Sequence, residues 1–127
     1  MSDLHFSSAL STNWITWTPT YGASGSMTFG TVTTNKAVYR REDNIVWIYL
    51  QADGTTGGIA STDITFTLPV TAIATHGCFN SNVVDVLNLG GFAKLTSTTV
   101  CSVRRYDIGV WGIGAGRIIQ VSGFYQV

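Results

Sequence analysis

Charge is scarce in this 127-residue sequence: seven basic and seven acidic residues make up 11% of it and cancel to a formal net charge of zero. A soluble domain commonly carries about twice that share. With no net charge, no broad field exists to hold nucleic acid or an anionic membrane, and the two basic doublets, Arg40-Arg41 and Arg104-Arg105, are too small for a basic stripe. Histidine is nearly absent too. His5 and His76 stand far apart, and His76-Gly77-Cys78 is too small a cluster for a metal site. Two cysteines, Cys78 and Cys101, make no disulfide framework and are expected to be buried free thiols. No apolar run approaches the ~18 residues of a membrane span. The first residues lack the basic start and apolar stretch of a secretory signal, so the expectation is a chain made and kept in a cytosol until it is assembled.

Catalytic patterns are missing as well. There is no G-x-S-x-G elbow. Gly54-Thr55-Thr56-Gly57-Gly58 is not followed by the lysine and helix that a phosphate cradle needs, and reads as a flexible loop. The carboxylates Glu42, Asp43, Asp53, Asp63, Asp85 and Asp107 fall mostly at expected turns, with nothing to pair two of them across a cleft. No catalytic residue, cofactor or metal ligand is therefore expected.

What the sequence does contain is strand chemistry. Thr, Val, Ile and aromatics fill segments punctuated by fourteen glycines, and no window shows a capped 3.6-residue apolar period. Strands are predicted over residues 26–33, 37–41, 45–52 and 64–68, and near 77–80, 83–89, 92–96, 99–106 and 117–126. Turns are expected at Thr34-Asn35 and Asp53-Gly54, and Pro69 ends the strand before it. Eight or nine short strands at this spacing predict an all-β antiparallel sandwich of jelly-roll type over residues 14–127, behind an extended arm at 1–13.

The strand at 45–52 is apolar on both faces. Val46, Ile48, Leu50 and Ala52 alternate with Ile45, Trp47 and Tyr49, where a half-solvated antiparallel sheet should be polar on one side. One face suits the core. The other suits a second copy of the chain, unless a loop of the same chain covers it. Trp14 and Trp17 are three apart and should point to opposite sides of a strand, one into the base of the domain and one toward a neighbour.

Several stretches, in order, resemble a known family: Trp14-x-x-Trp17-x-Pro19-x-Tyr21, Ala37-x-Tyr39-x-Arg41 running into Asn44-x-Val46-x-Ile48, Gly57-Gly58 with Ile64-x-Phe66-x-Leu68-Pro69-Val70, and Ile119-x-Val121-Ser122-Gly123-x-Tyr125. The pattern is similar to small jelly-roll domains of tailed-bacteriophage virion proteins, which occur at tail-fibre ends, in head fibres and as capsid decoration proteins. That resemblance implies non-enzymatic subunits on the virion surface, often homotrimers. A domain preceded by only about a dozen residues fits the decoration (cement) role on the major capsid protein better than a fibre shaft on a tail protein. The contact residues expected on that reading are Trp14, Trp17, Trp47 and Tyr49, with Arg40 and Arg41 as ionic partners. The alternative is a receptor-binding fibre tip whose Tyr21, Tyr106 and Trp111 stack on host surface glycan, the glycine-rich run around Trp111 forming a mobile distal loop.

Overall fold

The computed structural model describes residues 14–127; the expected arm at 1–13 lies outside them. The described residues contain nine strands and no helix: β1 (Ile15–Thr16), β2 (Tyr21–Ala23), β3 (Met27–Glu42), β4 (Ile45–Gly58), β5 (Ile64–Thr67), β6 (Gly77–Asp85), β7 (Leu87–Leu95), β8 (Val100–Arg105) and β9 (Gly114–Gln126). They form one antiparallel sheet in the order β1-β3-β4-β9-β6-β7-β8-β5-β2.

The sheet curls until its ends meet. The Tyr21 ring on β2 packs edge-on against Phe29 of β3, at 5.9 Å between centroids, and its hydroxyl bonds to Thr34 Oγ1 at 2.7 Å. Trp17 closes the seam by donating its indole N–H to Thr67 O at 3.1 Å. The curl makes the sandwich-like, all-β architecture that alternation predicts. Inside it, Val46, Ile48, Leu50 and Ala52 of β4 and Ile119, Val121 and Tyr125 of β9 face Ile64 and Phe66 of β5 and Cys101 and Val103 of β8, all of them buried. Tyr125 stays satisfied there because its hydroxyl donates to Val70 O at 2.7 Å.

Several expected turns are not turns. Residues 27–33 and 37–41 belong to one 16-residue strand, and the irregularities at Gly30–Thr33 and Thr34–Lys36 are register shifts within it. Extra residues in one strand bend it without ending it. Thr31 holds a positive φ of 50° at the first shift. Likewise Asp53-Gly54 does not close β4, which runs on to Gly58, so the expected flexible glycine loop at 54–58 is strand. A Cβ at Gly54 would lie 2.7 Å from the Phe29 ring. Glycine stands there to admit a core aromatic. The strand predicted over 83–89 is in fact a hairpin whose connection is the single residue Val86, while Gly90-Gly91, expected as a break, lies inside β7. At Gly91 a Cβ would meet Arg104 O at 2.6 Å.

Candidate functional site

Register decides which side chains meet on the outside of the sheet. Arg40 pairs with Trp47, Trp47 with Phe124, and Phe124 with Cys78, so these four form one row across β3, β4, β9 and β6. Trp14, just ahead of β1, extends the row beyond Arg40. The guanidinium of Arg40 sits 5.3 Å from the Trp14 ring and 5.9 Å from the Trp47 ring, between two aromatic faces. Trp47 and Phe124 lie 4.9 Å apart. The next row runs Val38, Tyr49, Ser122, Asn80, and Gln120 donates to the Tyr49 hydroxyl at 3.3 Å.

Together the rows line an open groove of about 430 Å³, with Trp14, Trp47, Tyr49 and Phe124 as its apolar part and Asn80 and Ser122 as its polar border. Trp47 and Tyr49 are half-buried by their neighbours on the sheet, and Trp14 is exposed. Among the described residues no loop lies across them. Trp17 faces the other way, packing edge-on against Tyr39. The two tryptophans therefore lie on opposite sides, as their spacing requires.

The two arginines differ. Arg40 pairs with Glu42 at 3.0 Å, and its Nε is buried without an acceptor among the described residues. Arg41 lies at the hairpin end, exposed, and its Nε donates to Asp43 O at 3.1 Å. The groove also contains a residue that sequence reasoning misplaced. Cys78 is exposed beside Phe124, not buried. A strand position that alternates outward carries its thiol outward, and no composition rule reveals which cysteine that is. Cys101 is buried, and burial pushes its thiol up to about 12, so it stays protonated.

The three expected glycan contacts are not brought together. Trp111 is fully buried. Its backbone N–H donates to Ser61 O at 2.9 Å and its indole N–H to Thr62 O at 3.1 Å, so it plugs one end of the core and offers no ring to a sugar. Tyr21 is half-buried against Phe29. Tyr106 alone is well exposed. The expected mobile loop around Trp111 is pinned. Asp85 accepts from Gly112 N with both oxygens at 3.0 Å, from Arg105 at 2.8 Å, and faces Arg117 Nε at 2.9 Å. Arg105 also pairs with Asp107 at 2.8 Å, and the buried Thr56 hydroxyl donates to Gly112 O at 2.6 Å. A separate ion pair, Arg104 with Asp63 at 2.9 Å, lies at the same end of the sheet.

The carboxylates at this end are thus held by arginines. Burial pushes Asp63 up, but hydrogen bonds from Thr62 and Arg104, with the Arg104 charge, outweigh it and leave the carboxyl below its ordinary value. Among the described residues no three His, Cys, Asp or Glu side chains gather as a metal site would require. No family model, curated protein or solved structure matches this chain.

Proposed function

We propose that this chain is a non-enzymatic structural protein of a bacteriophage virion, assembled as a homo-oligomer, with a trimer favoured, and acting as a capsid decoration protein on the head. The observation that carries this reading is the open aromatic row on the outer sheet face. Trp14, Trp47, Tyr49 and Phe124 form an apolar surface with a polar border, the composition of an interface core and its rim. Tryptophan, tyrosine and arginine are the side chains that most often anchor such contacts. The virion assignment itself comes from the ordered motifs of the sequence.

The arm belongs to the same reading. Residues 1–13 lead directly into Trp14 at the edge of the groove, so an arm engaging the shell and a copy engaging the groove would act side by side. Imaging intact particles with labelled protein should place it on the head, and a variant lacking residues 1–12 should lose occupancy there. Full occupancy without the arm would remove its role, and label confined to the tail would remove the decoration reading.

A second reading gains from one feature. Aromatic rings beside Asn80, Ser122 and Gln120 are the pairing of stacking faces with hydrogen-bonding groups that a sugar needs. A glycan-binding fibre tip would use this groove, since Trp111 is enclosed. Glycan-array binding that disappears in Trp47→Ala would favour it over decoration.

A further inference from the structure

We propose that the end of the molecule opposite the β3–β4 turn is a second self-association surface, through which two copies of this chain meet pole to pole. The connections β2–β3, β4–β5, β6–β7 and β8–β9 all lie at this end. Two of them present Val86, Leu87, Tyr106, Ile108, Val110 and Ile113, between 47% and 76% exposed. At roughly 100 Å² each, these side chains offer on the order of 600 Å² of surface, most of what one partner brings to a stable interface of ~800 Å² per side. A monomer's largest apolar patch is commonly no bigger than about 600 Å².

The backbone holds these side chains out against its own preference. Val86 forms the whole connection between β6 and β7 at a φ of 73°, and Ile108 sits at 55°. Both are β-branched, and such residues are rare outliers in this region. Strain of this kind persists only where the surroundings enforce it, and it concentrates where a surface is used. Here the enforcement is visible. Asp85 and Arg105 close the β6 and β8 ends, and Trp111 is bolted beneath the loop. Loops already fixed have little freedom left to lose on association.

Charge selects the occupant. The pole's ionic groups are already matched within the chain: Asp85 with Arg105 and Arg117, Asp107 with Arg105, and Asp63 with Arg104. Among the described residues they give an anionic lipid headgroup or an acidic partner no free cation to engage. They also leave two facing poles without repulsion. A second copy meets both conditions, and the pairing needs nothing from the outer-face groove.

Sedimentation equilibrium of the full chain tests this, using Leu87→Ser/Val110→Ser/Ile113→Ser at the pole and Trp47→Ser on the outer face. The expected wild-type mass is an even multiple of the chain, and the pole variant should halve it while keeping the wild-type circular dichroism spectrum. A pole variant with unchanged mass overturns the proposal and leaves the outer-face reading standing. A Trp47→Ser protein that keeps its full mass, beside a halved pole variant, upholds the pole and removes the outer-face contact. Val86→Gly/Ile108→Gly offers a readout that a purely structural role would not move: it should melt at a higher temperature yet associate at least tenfold more weakly. Equal or tighter association of that variant contradicts the proposal. So would flotation of the wild type, but not of the pole variant, with phosphatidylcholine vesicles, which would make the pole a lipid contact.

Discussion

The outer aromatic row and the apolar pole are both greasy surfaces, but they are built by different physics. In the row, rings shelter one another. Trp47 lies against Phe124, Arg40 covers Trp47 and Trp14, and the backbone beneath is regular sheet. At the pole, apolar side chains project from tight connections, and a buried ionic cluster centred on Asp85 supplies the rigidity. Neighbouring side chains make the first surface. Long-range contacts hold the second in place, and this one is the more exposed.

The contrast can be broken most forcefully at Asp85. Removing one partner of a buried ion pair leaves the other charge uncompensated, at a cost of about 3–5 kcal/mol. Asp85→Ala strands Arg117, itself buried, and frees Gly112 N. Urea denaturation should show a loss of that size. Hydrogen exchange should rise further over residues 106–113 than over 45–52, whose amides should lose no more protection than the global loss, if the two regions are independent as described.

A smaller effect is expected in the row. Arg40→Ala removes two cation–π contacts and an exposed ion pair, together worth about 1–2 kcal/mol. The denaturation midpoint should fall with an unchanged slope, and exchange at 106–113 should not respond. A response there would show that the regions are coupled.

Acid should produce the smallest effect of the three. The Asp63 carboxyl lies below its ordinary value when folded, so its contribution is present above the unfolded value and is lost as pH falls through the folded one. Below about pH 4 the wild type should lose stability that Asp63→Asn does not lose, as measured by thermal melts across pH. A parallel decline in both proteins would deny Asp63 this role.

Alternation alone makes the inner face legible in the sequence. The buried set Val46, Ile48, Leu50 and Ala52 follows from a period of two on β4. Glycine and aspartate mislead the placement of turns, because Gly54 and Gly91 answer close approaches by Phe29 and Arg104 that lie far away in sequence. Val86 has none of the residue types that mark turns, so its hairpin leaves no local signal. The same limit applies to the site. Trp14, Arg40 and Trp47 are legible one by one, but their stacking depends on the pairing of β1 and β4 with β3. Trp111 is misjudged from sequence because its glycine-rich flanks suggest freedom, whereas Asp85, Thr56 and Ser61 hold them from three other segments.

The mass of the purified chain in solution, followed from micromolar to millimolar concentration, decides whether these apolar surfaces join copies of the protein. Self-association that weakens when Trp47 or the Leu87 cluster is made polar is the predicted result. A protein that remains a single copy across that range, with Trp47 and Tyr49 inaccessible to solvent quenchers, would contradict it.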